Sequence, residues 1–103
     1  MSRRPAKAQW ETLIRHLACD SGNVVFTRHA LVRMKQRYIL SLHVLEVLRH
    51  GVIRLEPEPD LKTGHTLCRM ERVVEGRKLG VVLALEGTSA GSGLVVTALV
   101  IGD

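Results

Sequence analysis

A histidine and two arginines recur along one predicted helix at a spacing that places them on the same side. His29, Arg33 and Arg37 are four residues apart, so at about 100° per residue they fall within an arc of roughly 80°. Arginine offers a planar fork that fits a phosphate group, and histidine transfers protons near neutral pH. The three side chains therefore predict a site for a phosphate ester, and RNA is the substrate that we expect.

The rest of this helix divides between a core side and a wider basic surface. An adjoining arc of about 100° holds the side chains that we expect to face a core, which are Ala30, Leu31, Met34 and Tyr38. Arg28 and Lys35 lie around the other side of the helix. They extend the basic surface that an RNA could contact, although the ordinary need for solubility explains them equally well.

Four further cations lie on or beside predicted strands and are candidates to complete a nucleic-acid-binding site. They are Arg54, Arg69, Arg72 and Lys78. Because the side chains of a strand alternate between two faces, Arg69 shares a face with Glu71, whereas Arg72 lies on the other face. Ion pairing across strands, for example with Glu71, is the alternative role for each of these cations.

Three helices are predicted to position these side chains. The first has one apolar stripe at helical spacing, formed by Trp10, Leu13, Ile14, Leu17 and Ala18. Thr27 is expected to cap the second helix, which ends near Tyr38. Ser41 is expected to cap the third, and Gly51 to end it in the left-handed conformation. The predicted core stripe of this third helix is Leu42, Leu45 and Leu48.

After Gly51 the apolar spacing changes to one typical of strands. Four strands are predicted, at residues 52–56, 65–74, 79–86 and 94–101. Residues 24–26 are expected to form an extended link, and residues 57–60 a polar break, because proline cannot donate to a sheet. The sequence thus predicts one α+β domain over residues 1–103, with two to three N-terminal helices packed on a four-stranded antiparallel sheet.

Charge is concentrated in the first half of the chain. The net charge is +5, and residues 1–50 carry +6 while residues 51–103 carry −1. An uneven basic charge favours an acidic or polyanionic partner. The histidines and cysteines lack the spacing of metal ligands and there is no glycine-rich phosphate loop, so we expect no metal and no cofactor.

The composition also bears on location. Cys19 and Cys68 suggest no disulfide framework, and no signal peptide or membrane-spanning run is recognised. We therefore expect a cytoplasmic protein that does not act at a membrane.

A resemblance to a family of small bacterial domains of unknown function rests on two stretches, F-T-R-H-A-L-V-R-M-K-Q-R-Y-I-L-S (26–41) and V-L-E-V-L-R-H-G (44–51). The hallmark of that family is an H-A-x-x-R-M-x-x-R helix. The resemblance covers residues 24–101 and leaves out the predicted helix in residues 1–22. One departure is Leu40, which separates an isoleucine from a serine that are often adjacent in the family.

The layout of that family is also similar to the RelE/ParE-like toxin superfamily, which includes ribosome-dependent mRNA endonucleases and toxins that act by binding another protein. The resemblance implies that His29, Arg33 and Arg37 are the motif positions. It also implies a RelE-like fold, an RNA substrate that is free or held on the ribosome, and a protein antitoxin as a partner.

Two hypotheses about function follow. The first is a metal-independent ribonuclease in which the RNA 2′-hydroxyl attacks the adjacent phosphate, His29 acts as base or acid, and Arg33 and Arg37 hold the developing charge. The second is a non-enzymatic binding module whose basic helix face docks a nucleic acid or an acidic protein. The first predicts that His29→Ala abolishes activity, and the second predicts that it has little effect.

Overall fold

The computed structural model describes residues 5–102 of the chain. Its helices are α1 (Lys7–Ala18), α2 (Arg28–Gln36) and α3 (Ser41–His50), with a 3-10 turn at Ser21–Asn23. Its strands are β1 (Val24–Phe26), β2 (Val52–Ile53), β3 (Glu58–Pro59), β4 (Thr66–Val74), β5 (Arg77–Leu85) and β6 (Gly93–Val100). The predicted α+β class is confirmed. Among these residues, no helix combines the length and the apolar character that crossing a membrane requires.

The strands form one sheet in the order β1-β6-β5-β4-β2, and β3 pairs with β4 beside that path. The prediction of four antiparallel strands is wrong, because β1 and β3 are also strands and β1 runs parallel to β6, with Val24 opposite Gly93. Strands of two or three residues are too short to show an alternating pattern. Pro59 is tolerated in β3 because an edge strand does not need every backbone donor.

Alternation of side chains gives the sheet two different faces. The core-side face, on which the helices pack, is buried and includes Cys68, Met70, Val81, Leu83 and Ala98. The other face, here called the open face, includes Arg69, Glu71, Lys78, Gly80 and Val82. None of these open-face residues belongs to the core cluster. The sheet therefore presents on its open face the charged side chains that its core-side face excludes.

The first helix follows its prediction and the third departs from it. In α1, Trp10, Ile14, Leu17 and Ala18 are buried. In α3, the buried residues are Val44, Val47 and Leu48, whereas Leu42 is 73% exposed. Of the predicted stripe, Leu48 is buried and Leu45 packs partly buried against the core, so only Leu42 departs from the prediction. Packing against α1 and β4 buries the two valines in its place. The helix also begins one residue early, since Leu40 is its N-cap and the His43 ring accepts the Leu40 N–H at 3.0 Å.

Gly51 ends α3, but not in the predicted left-handed conformation. Its φ is −78° and its ψ is −179°, which is extended backbone. Glycine is needed for a different reason: a Cβ atom built on Gly51 lies 2.8 Å from the carbonyl oxygen of Glu71 and closer still to that of Val47. The absence of a side chain lets the end of α3 lie directly against β4.

The second helix is capped as predicted but buries less than expected. The Thr27 Oγ1 accepts the N–H of Ala30 at 3.0 Å. Ala30 and Met34 are buried, whereas Leu31 is 50% and Tyr38 is 83% exposed. Because only one narrow side of α2 faces the sheet, the outer part of the predicted apolar arc remains in solvent.

Candidate nucleic-acid interface

The predicted stripe on α2 is present, but its three side chains do not converge. His29 is exposed, and within residues 5–102 its ring has no hydrogen-bond or ion-pair partner. Arg33 is half-buried, and its Nη1 donates to the Oε1 of Gln36 at 3.1 Å. A histidine and an arginine one turn apart could contact the same phosphate, but no third group among the described residues orients the imidazole here.

Arg37 holds α2 against the sheet. It lies just after the last helical residue, and its Nη1 donates to the carbonyl oxygen of Ala98 on β6 at 2.7 Å. Beyond the short β1, no strand of residues 5–102 pairs with this part of β6 on that side, so its carbonyl groups need another partner. The Nη1 of Arg37 is such a partner. The other N–H groups of its guanidinium can bind a ligand.

The sheet residues, by contrast, do form a cluster, centred on Glu71. This carboxylate is 3% exposed, although it lies on the open face. Its Oε2 accepts from Arg69 Nε at 3.0 Å and lies 2.8 Å from Arg69 Nη2. Its Oε1 lies 3.6 Å from Arg54 Nε and 3.7 Å from Lys78 Nζ. Three cations thus surround one buried carboxylate, here called the Glu71 cluster.

The burial of Glu71 depends on the residues beside it. Gly80 is directly opposite Glu71 in the β4–β5 ladder. A Cβ atom on Gly80 would lie 2.8 Å from the Cδ1 of Ile101 and 3.4 Å from the Cδ of Arg69. The missing side chain therefore makes room for Ile101 and for the aliphatic part of Arg69 to pack over the ladder. These apolar groups help to cover the carboxylate, whereas the side chains of Arg54, Arg69 and Lys78 remain 64%, 28% and 43% exposed.

Arg72 does not belong to this cluster, because it points to the core-side face of β4. Its Nε lies 3.4 Å from the Oε2 of Glu46 on α3, and its Nη1 donates to the carbonyl oxygen of His50 at 3.3 Å. Of the four sheet cations named from the sequence, the structure brings three together and separates the fourth. These three cations also have the alternative role that the sequence predicts, because each forms an ion pair with Glu71.

The two predicted parts of the site lie on different sides of the molecule. The helix α2, which carries the stripe, packs along β6, whereas the Glu71 cluster lies on the open face of β4 and β5 and at the end of β2. The sequence named the residues of both parts but joined them into one site. The alternation of residues 65–74 carries the signal for the cluster, because it places Arg69 and Glu71 on one face.

The described residues place no metal-holding group beside these cations, and the one cysteine on β4, Cys68, is buried. Burial raises the pKa of the Cys68 thiol to about 12, so this thiol stays protonated at neutral pH and is a poor nucleophile. No group of three or more histidine, cysteine or acidic side chains within residues 5–102 could hold a metal ion.

A comparison with protein-family models matches residues 26–100 to a domain of unknown function, DUF4258. The chain belongs to the DUF4258 family. The matched range contains α2, α3, the sheet from β2 to β6 and both groups of cations, whereas α1 lies outside it. Searches of curated proteins and of solved structures found no match to this DUF4258 chain.

Proposed function

We propose that this protein binds RNA on the open face of its sheet, through Arg54, Arg69 and Lys78. The observation that carries the proposal is the Glu71 cluster, in which three cations share one carboxylate. The cluster therefore carries two more positive charges than negative ones, on the face of the sheet opposite the helices within residues 5–102. Phosphodiester groups are the ligand that such a surface favours, because each can displace bound counterions and accept from arginine and lysine.

Glu71 supports this role by holding its neighbours in place. An arginine side chain that is free in solvent loses rotamer freedom when it binds a phosphate. The side-on contact of Arg69 with Glu71 fixes that side chain in advance. Since Glu71 uses few of the donors that the three cations offer, the remaining N–H groups can bind a ligand without breaking the cluster.

The shape of the surface favours a chain over a single anion. The three cations come from three neighbouring segments, namely the end of β2, β4 and β5. Neighbouring strands lie about 4.8 Å apart, so the backbones that carry the cations span about 10 Å. The arrangement of helices on one side of a sheet is also similar to that of the RelE/ParE-like superfamily. On that likeness we propose a RelE-like fold for this protein and RNA as the chain that it binds.

The test is binding of a fluorescently labelled single-stranded RNA, measured by anisotropy at two salt concentrations. The double variant Arg54→Gln/Lys78→Gln should weaken binding by tenfold or more and reduce the slope of log affinity against log salt by about 1.4, since two phosphate contacts are lost. Arg72→Gln is the matched control for the single variants Arg54→Gln and Lys78→Gln, because it removes one charge from the same sheet on the opposite face. RNA binding that responds equally to Arg72→Gln would overturn the proposal.

Cleavage of the bound RNA is the second candidate, and it rests on His29. This imidazole is exposed and one helical turn before Arg33, so it is free to exchange a proton with a 2′-hydroxyl or a leaving oxygen. If wild-type protein shortens RNA on a denaturing gel and His29→Ala does not, the protein is a ribonuclease. RNA that stays intact with a folded wild-type protein leaves binding alone as the function.

A further inference from the structure

The outer side of α2 carries a second surface, which is mixed apolar and basic. Arg28, Leu31, Val32 and Lys35 occur at positions i, i+3, i+4 and i+7, and so lie within an arc of about 100°. The buried residues of the helix, Ala30 and Met34, lie outside this arc, about 60° or more from its nearest member, Leu31. We call these four residues the outer stripe of α2.

The apolar members of the outer stripe are unusually exposed. Leu31 and Val32 are 50% and 48% exposed, and the exposure continues past the end of the helix at Tyr38 and Leu40. A scattered exposed leucine needs no explanation, but neighbouring exposed apolar side chains at helical spacing are typical of a surface that another molecule covers. RNA gains little from such side chains, because its outer surface is formed by charged phosphates.

The charges around the stripe define the partner. From residue 21 to residue 45 the sequence contains no aspartate or glutamate. Arg28 and Lys35 form no ion pair with any of residues 5–102. A second copy of this chain would bring like charges together, so a self-complementary contact here is disfavoured. The complement of the stripe is a surface that is apolar in the middle and acidic at its sides.

Tyr38 provides an independent observation. It follows α2 with a φ of 55°, the left-handed conformation in which glycine is usual. The N–H of Ile39 donates back to the carbonyl oxygen of Met34 at 2.9 Å, as in a helix end closed by glycine. A tyrosine at this position strains the backbone, and its ring gains no burial in return because it is 83% exposed.

From these observations we propose that the outer stripe of α2, together with Tyr38, docks an amphipathic helical segment of another protein, with acidic residues flanking its apolar side. Leu31, Val32 and Tyr38 contact the apolar side of that segment. Arg28 and Lys35 contact its carboxylates. This inference uses residues other than the Glu71 cluster, so it stands independently of RNA binding.

The probe is a synthetic helical peptide of about 20 residues with leucine at the a and d heptad positions and glutamate at the flanking e and g positions. A peptide of the same composition in scrambled order, and one with lysine in place of glutamate, are its controls. We expect saturable binding of the glutamate peptide by the wild-type protein, weakened by salt. Binding of all three peptides with equal affinity would overturn the proposal.

Variants locate the contact on the protein. Arg28→Glu/Lys35→Glu should weaken peptide binding at least about tenfold, whereas Lys62→Glu, which reverses an exposed charge in the loop before β4, should leave it unchanged. Val32→Ser should weaken binding, and Leu61→Ser, at a more exposed leucine elsewhere, should not. Equal effects of the stripe and control variants would rule out the stripe as the docking site.

Tyr38→Gly separates docking from folding. Relief of the positive φ should raise the melting temperature by about 4 °C, while loss of the ring should weaken peptide binding at least about tenfold. A side chain with a purely structural role would change the melting temperature and leave the affinity as it was, which would contradict the proposed contact.

Discussion

The guanidinium of Arg77, on the sheet, binds the backbone at the end of α2, where its Nη1 donates to the carbonyl oxygen of Arg37 at 2.8 Å. Its Nη2 donates to the carbonyl oxygen of Tyr38 at the same distance. The last carbonyl groups of a helix have no partner within the helix. Just past that end, Arg77, the first residue of β5, supplies partners for the carbonyl groups of the two residues that follow α2, and so fixes the strained link between α2 and α3.

Replacement of Arg77 by lysine should destabilise the protein. Lysine keeps the charge but cannot present two N–H groups to two carbonyl oxygens in a fixed plane. We expect the free energy of unfolding to fall by about 2 kcal/mol, as measured by urea denaturation. Arg28→Lys, at an exposed position without an ion pair among the described residues, should change it by less than about 0.5 kcal/mol. Equal effects would mean that the fork of Arg77 contributes nothing.

Neutralising Glu71 should lower the free energy of unfolding far more than neutralising a carboxylate at the surface. Glu71→Gln leaves three cations around an uncharged amide, and we expect a loss of about 3 kcal/mol in the free energy of unfolding. Glu46→Gln removes the exposed partner of Arg72 and should cost less than about 1 kcal/mol. Chemical denaturation at moderate salt distinguishes the two, and similar losses for both variants would show that burial adds nothing at Glu71.

Adding a methyl group at Gly51 should separate α3 from β4. A Cβ atom there would lie 2.8 Å from the Glu71 carbonyl oxygen, which belongs to rigid backbone and cannot move aside. Gly51→Ala should therefore lower the free energy of unfolding by at least about 2 kcal/mol. Gly87→Ala, where nothing lies within 4 Å of the new atom, is the matched control. A stable Gly51→Ala variant would refute this close approach.

The two cysteines should differ in reactivity. Cys19 is exposed and Cys68 is buried, so a thiol reagent at pH 8 should label Cys19 rapidly and Cys68 only after denaturation. Labelling of both in the native protein would contradict the burial of Cys68.

The Cys68 thiol should also make the stability of the protein depend on pH. Burial raises the pKa of Cys68 from 9.0 to about 12. The folded protein therefore retains this proton more strongly than the unfolded chain, and stability falls as pH rises from about 9 towards 12. Between pH 8.5 and pH 10.5, the free energy of unfolding of the wild-type protein should fall by about 2 kcal/mol more than that of Cys68→Ala. Parallel losses in the two proteins would show that Cys68 does not contribute to this dependence.

Local patterns in the sequence were sufficient for the long elements. The apolar stripe of α1 and the alternation of β4 each repeat several times, so their burial and faces follow from spacing alone. The pattern of α3 supports two stripes, one through Leu42 and one through Val44, and nothing local chooses between them. Contacts with α1 and β4 determine which stripe of α3 is buried, because only the side of the helix that faces them is covered.

The Glu71 cluster could be predicted only in part. Spacing placed Arg69 and Glu71 on one face, but it could not bring Arg54 or Lys78 to the same carboxylate. That convergence depends on the pairing of β2 and β5 with β4. The burial of Glu71 further depends on Gly80 and Ile101, which lie 9 and 30 positions further along the chain. Interactions at such separations leave no periodic signal.

The contact between Arg37 and Ala98 has a consequence for association between molecules. Residues 94–100, L-V-V-T-A-L-V, are uncharged and rich in β-branched side chains, the composition that favours cross-β stacking. β1 covers the outer edge of β6 as far as Val95, and the Arg37 guanidinium occupies the Ala98 carbonyl group beyond it. An incoming strand finds this acceptor already taken. Any change that loosens α2 from the sheet therefore exposes an amyloid-prone edge.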